Sequence, residues 1–204
     1  MNLVPIVHVI DDDIGVRSSL QYLLESTLLR VRVHESGEDF LEEVDPLEPG
    51  CMVLDLRMPA MSGIAVLQKL RERKNNNPVI VISGHADVSS AISVMKLGAI
   101  DLLQKPFDPL ALLDAVRRAL GNSLEMHHRR LKHEGLLKRM ADLTPREIEL
   151  LKLVVSGRSN KQIALDMGIA FKTVVNHRAH LMAKTQASNA ADLARLSTMV
   201  DLPH

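Results

Sequence analysis

Five short apolar runs separated by amphipathic stretches constrain the fold of the first 120 residues more than any other feature. The runs cover residues 6–10, 31–34, 52–55, 78–82 and 100–103, and they are rich in Val, Ile and Leu with little polar alternation. Such runs are typical of strands buried on both faces. The stretches between them, residues 16–29, 38–44, 64–73, 88–97 and 110–120, have helical periodicity. Five βα units in series predict an α/β doubly wound, five-stranded parallel sheet.

The strand pattern ends near Gly121, where two interpretations fit the sequence. Gly121 followed by Asn122 and Glu125 resembles the end of one helix and the cap of the next. Alternatively, one helix continues through this region, since Leu120 and Leu124 could lie on one apolar stripe. The chain therefore divides into a domain at residues 1–120, a helical linker at 121–141 and a second domain at 142–204.

The last 60 residues carry start and stop signals for four short helices. Residues 144–147 (TPRE) form a capping box with proline at the first helical position. Ser159 opens the second helix, Gly168 marks a tight turn, the third helix spans 171–183, and Ser188 is expected to cap the fourth. Two short helices joined by such a turn predict a helix-turn-helix in an all-α domain.

Charge divides the chain at the same place. Residues 1–120 contain 12 Lys and Arg against 17 Asp and Glu, whereas residues 121–204 contain 13 against 8. An acidic half and a basic half are expected to have different partners.

Composition excludes several classes of protein. A lone cysteine, Cys51, rules out an intrachain disulfide framework and fits a reducing compartment. No apolar run approaches the roughly 20 residues of a membrane helix, and three aspartates close to the N-terminus do not fit a signal peptide. We therefore expect a cytoplasmic protein with no membrane partner. Three histidines near the linker, His127, His128 and His133, have poor ligand spacing and are expected to be solvated.

Polar residues follow the predicted strands at the edge where parallel sheets bind ligands. Asp11 and Asp12 follow the first strand, Asp55 the third, Ser83 the fourth and Lys105 the fifth. Carboxylates brought together repel one another unless a cation joins them, and oxygen-only ligands favour Mg²⁺. A hydroxyl and a lysine complete a site suited to a transferred phosphoryl group.

Four segments of the first half resemble the motifs of receiver domains from two-component response regulators. They are residues 9–13 (VIDDD), 54–59 (LDLRMP), 82–85 (ISGH) and 104–107 (QKPF). They occur in order at the family's spacing, and the resemblance covers nearly all of residues 4–120. It implies that Asp55 accepts a phosphoryl group from a histidine kinase.

The resemblance also implies roles for the other residues of the cluster. The implied Mg²⁺ ligands are Asp12, Asp55 and the backbone carbonyl of Arg57, with Asp11 acting through water. Ser83 and Lys105 would contact the phosphoryl oxygens, and Gly84 leaves room beside them. Ser83 would be drawn to the phosphate in the conformational switch, but Leu102 stands where these receivers usually carry an aromatic ring. Arg57 and His85 flank the phosphoryl position and are expected to influence the lifetime of the phosphorylated state.

The second half resembles the four-helix, LuxR-type helix-turn-helix domain. The matching segments are residues 143–147 (LTPRE), 159–164 (SNKQIA) and 172–178 (KTVVNHR). Together with residues 83–88 (SGHADV), they resemble the FixJ-like branch of the NarL/LuxR class of response regulators. One departure is Ala170-Phe171 in place of the usual Ser-Pro, which removes a serine cap from the third helix.

The third helix has the size to enter the major groove of double-stranded promoter DNA. Val174, His177, Leu181 and Ala183 are expected to pack inward. Asn176 could pair with adenine and Val175 could touch a thymine methyl group. The candidate DNA contacts are Lys161, Lys172, Thr173, Val175, Asn176, Arg178, Ala179 and Lys184. In the last helix Leu193 is expected in the core, with Leu196, Met199 and Val200 as a candidate homodimer interface.

The expected function is signal-dependent transcription control, in which phosphorylation of Asp55 releases or dimerises the DNA-binding domain. RNA polymerase is a further partner that such a regulator could contact. No enzyme activity is expected beyond the chemistry of the chain's own aspartyl phosphate. Two alternatives are a phosphatase or phosphotransferase built on the same carboxylates, and a constitutive DNA-binding regulator whose receiver is only a dimerisation platform.

Overall fold

A computed structural model describes residues 4–84 and 88–199, except for the side chain of Met199. The chain forms two compact units, Met1–His128 and Arg129–His204, and each is described by itself. In these described ranges every helix is too short or too polar to span a bilayer.

The first unit is a parallel sheet of five strands in the order β2-β1-β3-β4-β5, with helices in the connections. This arrangement confirms the predicted doubly wound fold. The elements, in chain order, are β1 (Ile6–Ile10), α1 (Ile14–Glu25), β2 (Arg30–His34), α2 (Gly37–Glu43), β3 (Gly50–Asp55), α3 (Gly63–Glu72), β4 (Val79–Ser83), α4 (Val88–Lys96), β5 (Ala99–Gln104) and α5 (Pro109–Ala141).

The sheet separates two apolar cores because successive side chains of a strand point to opposite faces. Val7 and Val9 of β1 pack with residues of α1 and α5 on one face. Ile10 packs on the other face with Phe40 of α2 and residues of α3 and α4. The two cores leave the carboxyl ends of β1, β3 and β4 at one edge of the sheet.

Burial of all five strands on both faces was predicted, and this prediction is wrong for the two outer strands. In β2 only His34 is buried, and in β5 only Ala99 is buried. An edge strand has a neighbour on one side only, so β2 can carry the charged side chains of Arg30 and Arg32 in solvent.

Helix α5 runs without a break from Pro109 to Ala141, which decides between the two interpretations of Gly121. Apart from the local backbone of α5 itself, a Cβ atom at Gly121 would meet nothing within 4 Å, so no tertiary contact requires glycine there. Two residues later, the buried Ser123 hydroxyl accepts a hydrogen bond from Gly50 N–H (2.9 Å) and donates to Asn77 Oδ1 (2.9 Å). These bonds fix the helix to the sheet beyond Gly121. The last turns of α5 belong to the second unit, where they bury Leu136 and Met140.

The second unit continues with α6 (Pro145–Val155), α7 (Asn160–Met167), α8 (Phe171–Thr185) and α9 (Ala190–Met199). The predicted capping box opens α6 at Thr144, and Ser159, which was predicted to open the next helix, forms a second capping box with Gln162. Gly168 ends α7 in the left-handed conformation that the predicted turn requires (φ 64°).

Two helix starts in the second unit bear on the predicted caps. At α8 the N-cap is Ala170, which offers no side-chain hydrogen bond, as predicted. At α9 the prediction of Ser188 as the cap is wrong. Asn189 Oδ1 accepts from Asp192 N–H (2.8 Å), and the Asp192 carboxylate accepts from Ser188 N–H (3.0 Å). An Asn side chain reaches the orphan N–H three residues ahead as well as serine does.

Candidate functional site

Three aspartates meet at the carboxyl edge of the sheet. Carboxylate oxygens of Asp11, Asp12 and Asp55 lie within 4.8 Å of one another. Asp11 and Asp55 are buried at the ends of β1 and β3, whereas Asp12 is exposed. Adjacent parallel strands end at the same edge, and the β1–β3 register sets Ile10 beside Leu54. The sheet therefore brings together the acidic residues that the sequence analysis selected.

Lys105 links the two buried carboxylates. Its Nζ donates to Asp11 Oδ2 at 2.7 Å and lies 3.4 Å from Asp55 Oδ1. Its backbone N–H donates to the Ser83 carbonyl (2.8 Å), which fixes the β5 exit against the end of β4. Burial lowers the pKa of Lys105, but the hydrogen bond and charge of Asp11, together with Asp55, raise it above its ordinary value. The ammonium group is therefore retained over the whole neutral range.

The Asp55 carboxylate is held in a partly desolvated position. Burial raises its pKa, and the charge of Asp11 adds to that effect. Lys105 and the backbone N–H of Arg57, which donates a hydrogen bond to the carboxylate, act in the opposite direction. Ser83 is buried at the end of the adjacent strand β4. A carboxylate next to a fixed ammonium and a backbone N–H can accept an electrophilic phosphoryl group, whose charge these two donors offset.

The third aspartate of the first motif has a local structural use. Asp13 Oδ1 caps α1 by accepting from Gly15 N–H (2.7 Å) and Val16 N–H (3.2 Å). The Asp13 N–H donates in turn to Asp11 Oδ1 at 2.9 Å. Arg17, one turn into α1, donates from Nη1 to the Asp11 carbonyl (2.6 Å). The start of α1 therefore orients the loop that carries Asp11 and Asp12.

The donors of this site fit a hard divalent cation. All three candidate side chains offer carboxylate oxygens, and one of them is open to solvent. Oxygen-only sets of this kind suit Mg²⁺ or Ca²⁺ rather than a thiophilic metal.

Gly63 is a residue of the site that the sequence analysis missed. A Cβ atom there would lie 2.3 Å from the Asp55 carbonyl oxygen and 2.9 Å from Leu56 Cα. The Gly63 N–H also donates to the Leu56 carbonyl at 3.0 Å. Glycine at the first position of α3 therefore allows the helix to approach the backbone of the acceptor strand. A glycine four residues after the 54–59 motif, at a helix start, was the available signal.

The remaining predicted residues of the first unit occupy different environments. Leu102 is half-buried and packs against the core formed by Ile10, α3 and α4. Arg57 has an exposed side chain, and a Cβ atom at Gly84 would face open space. His85 lies outside the described residues.

A groove of about 670 Å³ lies next to Lys105 and was not expected from the sequence. Its walls come from α1 and from the segment between β5 and α5. The lining is mainly apolar and includes Val16, Leu20, Leu23, Lys105, Phe107 and Pro109. Because Lys105 contributes to both, the groove and the acidic cluster are contiguous.

The predicted DNA-contact residues of the second unit fall into two groups. Lys161, Lys172, Val175, Asn176 and Ala179 are exposed, as predicted. Thr173 and Arg178 are half-buried, and Arg178 Nη1 donates to Asn160 Oδ1 at the start of α7 (2.8 Å). Lys184 Nζ donates to Glu147 Oε2 of α6 (2.8 Å). These two cations hold neighbouring helices in place within the unit.

The inward face of α8 differs from the prediction in two residues. Val174 and Leu181 are buried, but His177 and Ala183 are exposed, and Thr185 is buried instead. Ala183 lies nine residues from Val174, which is two and a half helical turns and therefore the opposite face. Phe171, at the first position of α8, is half exposed and was not among the predicted contacts.

The residues assigned to a dimer interface are only partly described. Leu193 is buried in the core of the unit, as predicted. Leu196 is half-buried and packs against the same core. The side chain of Met199 and all of Val200 lie outside the described residues.

Comparison with known proteins identifies both halves. The family model for the response regulator receiver domain matches residues 7–117, and the model for bacterial regulatory proteins of the luxR family matches residues 141–197. The chain is 45% identical over 193 residues to the transcriptional regulatory protein FixJ of Azorhizobium caulinodans, covering 95% of this chain and 92% of the relative. It is 41% identical to the transcriptional regulatory protein TdiR of Thauera aromatica, with coverages of 92% and 82%.

Solved structures give the same result. The response regulator StyR matches with a TM-score of 0.87 at 39% identity, covering 95% of this chain and 98% of StyR. Full-length FixJ from B. japonicum matches with a TM-score of 0.56 at 32% identity, covering 98% of both chains.

Proposed function

Because the chain belongs to the response regulators that join a receiver domain to a LuxR-type DNA-binding domain, we propose that Asp55 is its phosphoryl acceptor. The chain is a phosphorylatable transcriptional regulator of two-component systems. The observation that carries the assignment of Asp55 is its contact with Lys105, which a second buried carboxylate, Asp11, holds in place. Asp12 is the exposed carboxylate of the cluster, and Asp11 already accepts from Lys105, so Asp55 is the carboxylate best placed to react.

In the proposed reaction an Asp55 carboxylate oxygen attacks the phosphorus of a phosphohistidine on a histidine kinase. A new P–O bond forms as the P–N bond breaks, and the imidazole leaves with the bonding electron pair. Lys105 offsets the negative charge on the transferred group, and the Arg57 N–H and Ser83 hydroxyl donate hydrogen bonds to its oxygens. The aspartyl phosphate is later hydrolysed, so the only chemistry is that of the chain's own acyl phosphate.

Asp11, Asp12, Asp55 and the Arg57 carbonyl are the groups that would hold Mg²⁺, with Asp11 acting through water. When bound, the cation supplies charge neutralisation at the phosphoryl oxygens. Asp11 has a second role that needs no cation. Its carboxylate binds Lys105 Nζ and so holds this nitrogen 3.4 Å from Asp55 Oδ1.

The groove beside Lys105 is the proposed approach for the kinase. A phosphohistidine must come within bonding distance of Asp55, and the groove borders the same lysine. Its apolar lining, with Leu20, Leu23 and Phe107, suits the apolar face of a kinase helix.

The switch is proposed to run through Ser83 and Leu102. Phosphorylation would draw the Ser83 hydroxyl toward the new oxygens, and Leu102, on the adjacent strand β5, would repack against the core of α3 and α4. Leu102 lacks a ring, so the movement is expected to be one of apolar packing alone.

The DNA-binding role is assigned to α8. Val175, Asn176 and Ala179 are proposed to face base edges, with Lys161 and Lys172 on phosphates. Thr173, Arg178 and Lys184 are proposed as further contacts, although Arg178 and Lys184 would have to leave Asn160 and Glu147 to reach DNA. A homodimer through Leu196, Met199 and Val200 would present two such helices to paired half-sites.

The domains are proposed at residues 1–120 and 142–204, with 121–141 as the linker. Burial of Leu136 and Met140 supports placing the last turns of that linker with the DNA-binding domain. A chromosome-bound regulator would act in the cytoplasm, where RNA polymerase is a further proposed partner.

The test is binding to a library of promoter fragments, with and without acetyl phosphate and Mg²⁺. We expect the phosphate donor to tighten specific binding by wild-type protein about tenfold or more, and to leave Asp55→Asn unchanged. Asp114→Asn, which removes an exposed carboxylate of α5, is the matched control and should behave as wild type. Equal binding by wild type and Asp55→Asn under all conditions would contradict the assignment.

A further inference from the structure

An exposed apolar stripe runs along α8 of the second unit, starting at its first residue. Phe171, Val175 and Ala179 are exposed and stand four residues apart, and residues at that spacing are neighbours on a helix surface. Phe171 is 50% exposed and Val175 is 40% exposed. The core of the unit takes other residues of α8, since Val174 and Leu181 are buried there. The stripe is therefore apolar surface that remains in solvent after the unit has packed.

Phe171 differs from the other two phenylalanines of the chain. Phe40 is fully buried, and Phe107 packs against a core of the first unit. Leaving half of a phenyl ring in water gives up part of the free energy that its burial would provide. Single exposed apolar residues are common on protein surfaces, so the ring alone does not indicate a partner. The residues around it do.

Polar and positive side chains border the stripe. Lys172 and Asn176 directly follow Phe171 and Val175 in the sequence, and both are exposed. Residues 121–204 carry 13 Lys and Arg against 8 Asp and Glu, and the luxR-family match covers α8. Apolar atoms between a cation and an amide suit the major groove of DNA, where thymine methyl groups and polar base edges lie between two phosphate backbones. The partner that matches this surface is therefore double-stranded DNA.

We propose that Phe171 is a specificity-determining residue that reads thymine, through contact of its ring with the C5 methyl group in the major groove. The inference rests on the proposed DNA-binding role of α8 and adds a residue and a base to it. In helix-turn-helix proteins the N-terminal residues of the second helix contact base edges, and Phe171 is the first residue of α8. A thymine methyl is the apolar group of the major-groove edge, and Phe is among the side chains that contact it.

The spacing along α8 predicts that two thymines are read. Four residues of an α-helix rise by about 6 Å, which is roughly two base steps of about 3.4 Å on one strand. With α8 lying along the groove, Phe171 and Val175 contact thymines about two base pairs apart. Selected sites should therefore carry thymine at both positions.

The experiment uses the full-length protein and duplexes that wild type selects from a random-sequence library, with acetyl phosphate and Mg²⁺ present. Each thymine of the selected site is replaced in turn by deoxyuridine, which lacks only the C5 methyl group. At one thymine in each half-site we expect the replacement to weaken binding by wild type about fourfold, as for the loss of one buried methyl group. Phe171→Ala should bind the thymine and deoxyuridine duplexes equally at that position. Val175→Ala should lose the discrimination at the second thymine instead.

Three further measurements separate base reading from a structural role. Phe171 is half exposed, so Phe171→Ala is expected to keep the wild-type melting temperature and the wild-type affinity for an unselected duplex. Phe171→Leu keeps an apolar side chain and should retain part of the thymine preference. Tyr22→Ala removes an exposed aromatic ring from α1 of the first unit and should bind every duplex as wild type does.

Two outcomes would overturn this inference alone. One is a Phe171→Ala protein that still discriminates thymine from deoxyuridine at every position, while Asn176→Ala loses affinity for the selected site. The other is an equal loss of affinity by Phe171→Ala on selected and unselected duplexes, which would mean that the ring supports the fold. If wild type selects no sequence, or Asn176→Ala binds the selected site as tightly as wild type, the assignment of α8 is itself contradicted, and this inference with it.

Discussion

The two halves of this regulator present their functional groups in opposite ways. In the receiver, Asp11, Asp55 and Ser83 are buried and Lys105 is held between carboxylates. In the DNA-binding half, Lys172, Val175 and Asn176 stand exposed on α8. Chemistry at one oxygen atom requires fixed charges in a partly desolvated site, because electrostatic interactions are less screened there than in water. Recognition of a duplex requires a surface that can reach phosphates and base edges.

The same substitution in each half should therefore give very different losses. Lys105→Ala removes an ammonium that is fixed against Asp55, and we expect phosphorylation by acetyl phosphate to fall about 10²–10³-fold. Lys172→Ala removes one exposed cation, and DNA affinity should fall only about fivefold, with the slope of log K against log salt reduced by about 0.9. Phosphate-affinity electrophoresis and fluorescence anisotropy measure the two effects. Lys96→Ala, an exposed lysine of α4, should leave phosphorylation intact. Losses of similar size in Lys105→Ala and Lys172→Ala would contradict this difference between the two halves.

A pair of glycine substitutions tests how closely the acceptor strand is packed. Gly63→Ala would place a Cβ atom 2.3 Å from the Asp55 carbonyl oxygen, so we expect the free energy of unfolding of the receiver to fall by about 1–3 kcal/mol. Gly121→Ala adds a methyl group in open space within α5 and should raise stability by about 0.5–1 kcal/mol. Denaturant titration followed by circular dichroism provides both values. Tolerance of Gly63→Ala would mean that the start of α3 can move away from β3 at little cost.

Acid should destabilise the receiver before it affects the DNA-binding unit. His8 titrates at about 4 when folded and near 6.5 when unfolded, so the unfolded state binds more protons between these pH values. The free energy of unfolding therefore falls as the pH drops from about 6.5 to about 4, by up to about 1.4 kcal/mol per pH unit. In the second unit the hydrogen bond from Lys184 lowers the pKa of Glu147. The stability that this contact gives the unit is therefore lost only as the pH falls below 4.5, the pKa of Glu147 in the unfolded chain. Calorimetry between pH 7.5 and 5 should show the receiver transition alone shifting, and His8→Gln should reduce that shift.

The smallest expected effect concerns the start of α8. Ala170→Ser supplies a side-chain acceptor at a helix start that lacks one, and should stabilise the DNA-binding unit by about 0.5–1 kcal/mol. Ser159→Ala removes the working cap of α7 and should cost a similar amount. Thermal unfolding of the two variants measures both changes. An unchanged melting temperature in Ala170→Ser would show that the first turn of α8 is ordered by packing alone.

Much of the candidate site was predictable because it depends on strand ends. Asp11, Asp55, Ser83 and Lys105 each follow an apolar run, and parallel strands place such residues at one edge. Gly63 was missed because its role depends on how closely α3 approaches β3, and the groove was missed because it depends on the distance between α1 and the segment that joins β5 to α5. The stacked His8–His34 pair was missed because it joins positions 26 residues apart, and neither residue lies in one of the four receiver-like motifs.

In the second half, local signals predicted helix starts better than helix faces. The capping boxes that begin at Thr144 and Ser159 each involve residues within four consecutive positions, and both are present. The inward positions of α8 were partly wrong because Thr185, rather than Ala183, lies on the face of Val174 and Leu181. Which side of a helix is buried depends on its neighbours, and these come from α6 and α7.

The sequence by itself determined the order of strands and helices along the chain, the caps of α6 and α7, and the set of polar residues at the carboxyl edge. These features arise from periodicity and from hydrogen bonds between residues close in the chain. Only the tertiary structure decided that α5 continues through Gly121, since Ser123 gains its partners from Gly50 and Asn77. It also decided that the rings of His8 and His34 stack, with His8 Nδ1 3.0 Å from His34 Nε2. Contacts between distant segments depend on packing across the sheet, and a pattern of residues close in the chain does not predict them.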